Sequence, residues 1–535
     1  MAEHKGRNQH GSSNARDDQL PRFPELFFGI VGAVGTDLSH VTDILARELQ
    51  LCGYSSHPVR LSGLLAECDK YAGLPSSQNS PEDERITAFM DAGDDFRRTA
   101  KRGDAVALLA IGKIRGTRAG LDEKDGSRDS KRAFILNSLK HPEEVELLRK
   151  LYGSNFFLLS AYESSYQRKS NLCELIAKST GKYDSTLFSD DAENLISRDE
   201  KDVNDEFGQN VRDTFPKADL FINSMDKEIV EREVQRFIKL LFNHPFITPT
   251  IDEYSMFHAK ATALRSADLS RQVGAVISDS EGGILAAGCN EVPKPGGGSV
   301  WECQLANINQ DNRDFRIGYD SSERMAHELV TELLESLSQC GWLGKNYRDK
   351  DKDVLARQAL FDGDHPPLRG TRAASILEFG RVVHAEMHAL SDAAKRGVSI
   401  KGAKLYCTTF PCHMCARHII ASGVASVVYI EPYPKSMTKI LYQESVNIDH
   451  ESSSREDAVN FLPFTGVAPR RYIDLFEKSD RRKDDRGRAI DWIPEGARPR
   501  VGQIPTYTEM ETGYVDLLET NKENWGIIDS DSKSG

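Results

Sequence analysis

No apolar run in this 535-residue chain is long enough to cross a bilayer. Runs such as Ala105 to Ile111 stop far short of the roughly 20 residues that a spanning helix needs. The N-terminus also lacks the apolar middle of a secretion signal, since Met1 to Leu20 is polar. No membrane association is expected, and a cytoplasmic location is. Positive charge is in short supply: Lys and Arg number 69 against 82 Asp and Glu, a net charge of −13. Bulk binding of duplex nucleic acid calls for the opposite balance, because cationic surface must displace counterions from phosphates. Cysteine is sparse too. Nine in so long a chain do not make a disulfide framework. Seven read as small core residues or free thiols. Cys412 and Cys415 stand apart, because their spacing suits a metal.

What is present is a core-forming composition, 39% hydrophobic and 28% charged. At roughly 150 residues per domain, the length predicts two to four domains. Residues 1–22 read as a disordered tail, rich in Gly, Ser, Asn and charge. From Phe23, strands and amphipathic helices alternate. Leu26 to Val31, Ser55–Val59, Ala105–Ala110, Ala133–Asn137, Phe156–Ser160 and Leu220–Asn223 are strand candidates. Pro142–Leu151, Ser165–Lys178 and Lys227–Phe242 are helical. This order predicts an α/β domain over 23–245 with a mostly parallel sheet. Gly116 to Lys131 reads as a loop, and the acidic stretch Tyr183 to Lys217 as a mobile insertion. A second α/β domain is expected over 246–477, with strands Val273–Ser278, Ile284–Ala287, Lys404–Cys407 and Val427–Ile430 and an insertion at 294–376. Residues 478–535 form a charged extension in which Trp492, Ile493, Tyr507, Tyr514 and Trp525 could dock on a neighbour.

The strongest chemical signal is His384-Ala385-Glu386 followed by Pro411-Cys412-His413-Met414-Cys415. Cysteines three apart share one side of a helix's first turn, and a helix N-terminus favours thiolates. His384 supplies a third ligand. Three protein ligands leave a fourth tetrahedral position open, as a catalytic zinc requires. Glu386 can face the water at that position and carry its proton. Together these are the zinc-deaminase signature, His-x-Glu with Pro-Cys-x-x-Cys. The competing reading is a structural zinc ribbon or two core thiols. Glu386 and the flanking strands weigh against it. His388 and His413 fall outside the ligand pattern and read as packing or supporting residues.

Upstream, Arg265-Ser266-Ala267-Asp268 leads to Gln272-Val273-Gly274-Ala275-Val276-Ile277 and then to Gly288-Cys289-Asn290-Glu291. With the zinc motif, this order resembles the deoxycytidylate deaminase family over roughly 255–475. The resemblance implies a cytidine-deaminase-like α/β/α fold and hydrolytic deamination of deoxycytidine nucleotides, with Asn290 contacting the sugar. Arg265, with Arg271 and Lys294, is a candidate phosphate contact. Thr408 and Thr409 could contact phosphate or base, and Tyr433 could stack on the pyrimidine. Each of these has a structural reading beside the functional one.

The first strand runs into Gly29-Ile30-Val31-Gly32-Ala33-Val34-Gly35-Thr36-Asp37-Leu38-Ser39. A strand, a glycine-rich turn and a helix start make a phosphate cradle. Gly32, Gly35, Thr36 and Ser39 are its candidate nucleotide contacts. Against the G-x-x-x-x-G-K-[ST] pattern, Asp37 replaces the second glycine and Leu38 the lysine. The segment therefore resembles a P-loop nucleotide-kinase domain that binds a nucleotide or a partner without efficient phosphoryl transfer. An αβ turn with no ligand is the alternative. The whole chain resembles the bacterial anti-phage dCTP/dCMP deaminases. That resemblance implies depletion of dCTP in defence, control by a nucleotide effector at the N-terminal domain, silencing by a small RNA in some members, and a homo-oligomer. Three rivals remain: a housekeeping dCMP deaminase with a regulatory domain; a nucleic-acid base deaminase, which the net charge disfavours; and a nucleotide-sensing interaction protein whose zinc site is only structural, against which Glu386 speaks.

Overall fold

The computed structural model describes residues 23–528, apart from 77–79, 126–130, 201–204, 303–310, 364–365, 369–370, 372–373, 375–378, 433–435, 449–454, 479 and 503–506. Its strands, in chain order, are β1 (Leu26–Gly32), β2 (Ser55–Arg60), β3 (Arg132–Asn137), β4 (Phe156–Tyr162), β5 (Leu220–Asn223), β6 (Gly274–Ser278), β7 (Ile284–Cys289), β8 (Lys404–Thr409), β9 (Ser426–Glu431), β10 (Val446–Ile448), β11 (Val459–Pro463) and β12 (Gly466–Val467). The chain divides into two compact units. One takes Met1–Pro249 with Thr465–Gly535, and the other takes Thr250–Phe464. Among the described residues, no helix is long and apolar enough to cross a membrane.

The first unit is a doubly wound sheet in the order β12-β5-β4-β1-β3-β2. The pairs β2–β3, β3–β1, β1–β4 and β4–β5 are parallel, and β12 adds an antiparallel edge. All seven residues of β1 are buried, as expected of a strand covered on both faces. The helix Leu38–Leu51 turns Val41, Ile44, Leu45 and Leu49 inward, at the spacing of one helical face.

Two segments differ from the sequence reading. Ala105–Ala110 is the start of a helix, Ala105–Asp125, and not a strand. A short apolar run buried on all sides has no diagnostic period, and alanine favours the helix. That helix also occupies much of the stretch read as a loop at 116–131. The acidic stretch 183–217 holds a helix, Ser189–Glu200, that packs Ala192, Leu195 and Ile196 into a small core with Phe188 and Leu172.

The C-terminal segment belongs to the first unit. Its helix Tyr507–Asn521 is anchored by a buried network. The Arg118 guanidinium donates to Glu25 at 2.9 Å and to Glu511 at 2.6 and 3.1 Å. The Tyr152 hydroxyl donates to Glu511, and Tyr507 to Glu25, both at 2.9 Å. Trp525 joins the core beside Phe96, and the Trp492 indole donates to the Phe242 carbonyl at 2.9 Å. Ile493 stays exposed.

The second unit is a mixed sheet in the order β10-β11-β9-β8-β6-β7. β6 is antiparallel to β7 and β8, whereas β8, β9, β11 and β10 run parallel. The insertion carries the helices Ser321–Gln339 and Lys352–Leu360, which share a small core of Val330, Ala356 and Leu360.

Candidate metal centre and its cavity

Two helix N-termini meet over the second sheet. His384 is the cap residue of the helix Ala385–Arg396, and Cys412 that of His413–Ser422. The first helix lies close on β7 because Gly288 has no side chain. A Cβ there would stand 2.4 Å from both the Ala385 carbonyl oxygen and the Ala389 nitrogen. A backbone bridge, with Val383 and Glu291 exchanging hydrogen bonds at 3.1 and 3.2 Å, fixes the residue before His384. His388 ties the same helix down by donating from Nδ1 to the Cys289 carbonyl at 2.9 Å.

The His384 Nδ1 lies 3.3 Å from the Cys412 sulfur and 3.4 Å from that of Cys415. Among the described residues, these three form the one group of His, Cys, Asp or Glu whose donor atoms all fall within 4.8 Å of one another. Ligand atoms around a tetrahedral zinc stand about 3.5–4 Å apart, and one imidazole with two thiolates suits that ion. The residues present therefore fit zinc. The Cys412 thiol titrates low, through a hydrogen bond from Cys415 and then its contact with His384, and despite its burial. His384 is held up at about 9, chiefly by the Cys412 sulfur. This is a proton-sharing cluster in which a divalent cation can replace the proton.

Glu386, 4% exposed, sits in the first turn of its helix. Burial raises its carboxyl above the usual range, and the neighbouring Cys412 adds to the rise. A metal cation alongside would act in the opposite direction. The two influences oppose each other on a carboxyl placed to take up and release a proton.

His384, Glu386 and Cys412 open onto a cavity of about 760 Å³. Asn290, Thr409 and Arg271 line it as well. The Asn290 amide holds the backbone: its oxygen accepts from Val273 N–H at 2.7 Å, and its nitrogen donates to the Arg271 carbonyl at 2.8 Å. Asn290 therefore shapes the loop that presents Arg271. Asp268 helps by accepting from the Ser270 and Arg271 amides at 2.9 and 3.2 Å. The Thr409 hydroxyl donates to Glu431 at 3.3 Å. Thr408 is buried and accepts from Gly274 N–H at 3.2 Å. Arg265 is not among the cavity's lining residues. Its guanidinium stacks 3.5 Å from the Trp301 ring centroid and donates to Ser299 at 3.0 Å. Tyr433 lies outside the described residues. The sequence reading missed the insertion's share of the wall, including Asp314, Asp320, Glu323 and Phe361. Only the Asp268 turn had a local signal, an Asp two residues before a serine.

In the first unit, Gly32 ends β1, and Gly35 takes φ +91° against the Arg168 backbone, where a Cβ would lie 2.7 Å from a carbonyl oxygen. The Ser39 hydroxyl donates to Asp37 at 2.7 Å, and Asp37 also accepts from His40 N–H at 3.3 Å. Asp37 is thus the N-cap of the helix Leu38–Leu51, which explains a carboxylate where a phosphate cradle would carry glycine. The Thr36 hydroxyl is buried without a hydrogen-bond partner.

The second unit thus brings a His-Cys-Cys group able to hold a metal and a buried glutamate onto one cavity, an arrangement chemically suited to activating water. Residues 249–431 match the family described as the cytidine and deoxycytidylate deaminase zinc-binding region. Over 54 residues the chain is 46% identical to a deoxycytidylate deaminase of Enterobacteria phage T2, a match covering 10% of this chain and 29% of that protein. Over 227 residues it is 24% identical to a probable deoxycytidylate deaminase of Caenorhabditis elegans, covering 42% and 72% respectively. A crystal structure of dCMP deaminase from the cyanophage S-TIM5, in complex with dCMP and dUMP, aligns with 41% of this chain and 100% of that one, at 20% identity and a TM-score of 0.22. The chain spans less than a third of the length of the first phage relatives it matches.

Proposed function

We propose that the chain is a zinc-dependent deaminase of deoxycytidine nucleotides, converting dCTP, dCMP or both to the uracil nucleotide and ammonia. The observation that carries this reading is the His384, Cys412 and Cys415 cluster beside buried Glu386 on a single cavity. Zinc on these three residues supplies the activation of water near neutral pH. Glu386 accepts the proton of the water that adds to the amino-bearing ring carbon. It delivers that proton to the ring nitrogen, then takes the proton of the newly added hydroxyl and passes it to the amine, so that ammonia leaves as the carbon–nitrogen bond breaks and the carbonyl forms. Arg271, exposed at the cavity wall, is the cation best placed among the described lining residues to meet a phosphate.

The resemblance to anti-phage deaminases extends this reading to depletion of dCTP, with the first unit holding the enzyme in check through a nucleotide effector. A small inhibitory RNA and further copies of the chain are partners that rest on the same resemblance. A second reading, a housekeeping dCMP deaminase, draws on the charge of the cavity. Its described lining carries Asp268, Asp314, Asp320 and Glu323 beside Arg271, which favours the nucleotide with the fewest phosphates. The same acidic wall disfavours a nucleic-acid strand. The test is turnover of cytidine, dCMP, dCTP and single-stranded DNA by the purified full chain, with dTTP and dUTP added in turn. Ammonia release from dCMP or dCTP, and none from DNA, is expected. No release from either nucleotide rejects the proposal, and the ratio of the two rates chooses between its forms.

A further inference from the structure

The loop after β1 is filled by one of the protein's own carboxylates. Asp199, on the helix Ser189–Glu200, is fully buried. One of its oxygens accepts from Val34 N–H at 2.6 Å, and the other from the Lys140 ammonium at 2.8 Å. The same ammonium donates to the Gly32 carbonyl at 3.0 Å. Lys140 comes just after β3, the strand paired with β1. The helix that follows β1 packs with Phe28 and Ile30 on one face of the sheet, whereas the helix that follows β3 packs with Phe27 and Val31 on the other. Two adjacent parallel strands whose chains leave for opposite faces create a crevice at their carboxyl ends. Ligands of open α/β sheets bind there.

Further donors at this point are unspent. Arg168 is 6% exposed, and its Nε and Nη1 have no hydrogen-bond partner. Its backbone lies against Gly35, and its remaining nitrogen, Nη2, meets Glu200, the neighbour of Asp199, at 3.2 Å. The unpartnered Thr36 hydroxyl is in the same loop.

We propose that Asp199 is a built-in stand-in for a phosphate group. In this assignment Lys140 does the work of the lysine that Leu38 displaces, holding either Asp199 or the phosphate of a ligand. The two anions exclude each other, so phosphate binding releases the end of the helix Ser189–Glu200, and the bound carboxylate lowers the affinity of the parent protein. The proposal refines the regulatory role given above to the first unit. It is tested by binding alone, so its failure and failure of the deaminase reading are separate results.

The probes are inorganic phosphate, tripolyphosphate and GTP, titrated calorimetrically into the full chain. Asp199→Asn should bind at least one of them about tenfold more tightly than the parent. Equal gains for phosphate and GTP would mean that the site reads the phosphate alone; a gain for GTP only would mean that the nucleoside contributes. Adding Lys140→Met should remove the gain. Unchanged affinity for all three probes in a folded Asp199→Asn protein overturns the proposal, and a gain that survives Lys140→Met overturns the part given to Lys140. Should Asp199→Asn not fold, hydrogen exchange of the parent decides. In phosphate, against chloride at matched ionic strength, amides of 195–200 should exchange faster and those of 33–36 more slowly. Unchanged exchange in both segments overturns it.

Discussion

The metal centre and the glycine-rich loop are built alike and used differently. Each is built at the N-terminus of a helix, and each is marked by a short motif. At the metal centre the motif's donors converge on one another and face a cavity, with His384 Nδ1 3.3 and 3.4 Å from the two sulfurs. In the loop several of the corresponding groups are already engaged within the chain, although the Thr36 hydroxyl is not. Asp37 and Ser39 satisfy each other at the helix cap, and Val34 N–H is given to Asp199. A motif therefore reports which groups the chain brings together. Whether they are free for a ligand depends on residues far away in sequence. Asp199 is 165 positions from Val34.

The largest effect should come from breaking the metal centre. Cys412→Ser removes the ligand shared with His384, and zinc measured by elemental analysis should fall from one equivalent to a small fraction, with all turnover lost. Retention of a full equivalent would reject the ligand assignment. Glu386→Gln should keep the zinc and lose turnover by about 10³–10⁴-fold, the upper end for a general acid–base group, because the amide carries no proton between steps. Activity within about threefold of the parent, some 0.65 kcal/mol on the barrier, would sink the proton-carrier role.

In the first unit, where the groups are spent on structure, the expected loss is one of stability. Glu511→Ala strips the buried Arg118 of its closest partner, at 2.6 Å, and leaves the Tyr152 hydroxyl without its acceptor. Arg118 keeps Glu25 at 2.9 Å, so the cost falls below the roughly 3–5 kcal/mol of a buried charge left wholly unpaired and nearer the roughly 1–3 kcal/mol of an unsatisfied buried group. Thermal unfolding of this unit should move down by several degrees, while zinc content stays at the parent's level. An unchanged transition would mean that the helix Tyr507–Asn521 adds nothing to the core it covers.

How much of this was legible in the sequence follows from the range of the interactions. His384, Glu386, Cys412 and Cys415 could be read because ligands at two helix starts obey local spacing rules. The inner strands β1, β3 and β4 could be read because parallel strands buried on both faces are near-continuous apolar runs, and the antiparallel β6 because it too is buried throughout. Ala105–Ala110 differs from the strand expected there because the buried start of a helix presents the same run. β10 and β12, three and two residues long, are too short to carry a period. The return of the C-terminal segment to the first unit rests on the pairs Arg118–Glu511 and Tyr507–Glu25, which no local pattern announces. The same holds for the hydrogen bonds of Asn290 to the backbone of 271–273, and for Lys140 and Asp199 at the loop.

Asp37→Ala gives the smallest expected effect and the sharpest test of how the loop is used. If Asp37 is a helix cap, its loss removes the acceptor for His40 N–H and Ser39 Oγ and costs about 1 kcal/mol; its exposure places it toward the lower end of the range for caps. The sign of the pH dependence is fixed. Despite partial burial, the hydrogen bonds from Ser39 and His40 hold the folded carboxyl below its ordinary value. The contribution is therefore present above the unfolded pKa, about 3.9, and is lost as pH falls through the folded one. Parent and variant should differ in denaturant midpoint at pH 7 and converge in acid. If the two midpoints coincide at pH 7, Asp37 caps nothing, and the replacement of the cradle's glycine by a carboxylate has no structural reason in this fold. A difference that persists unchanged in acid would show that the loss comes from backbone propensity at the helix start and not from the carboxylate.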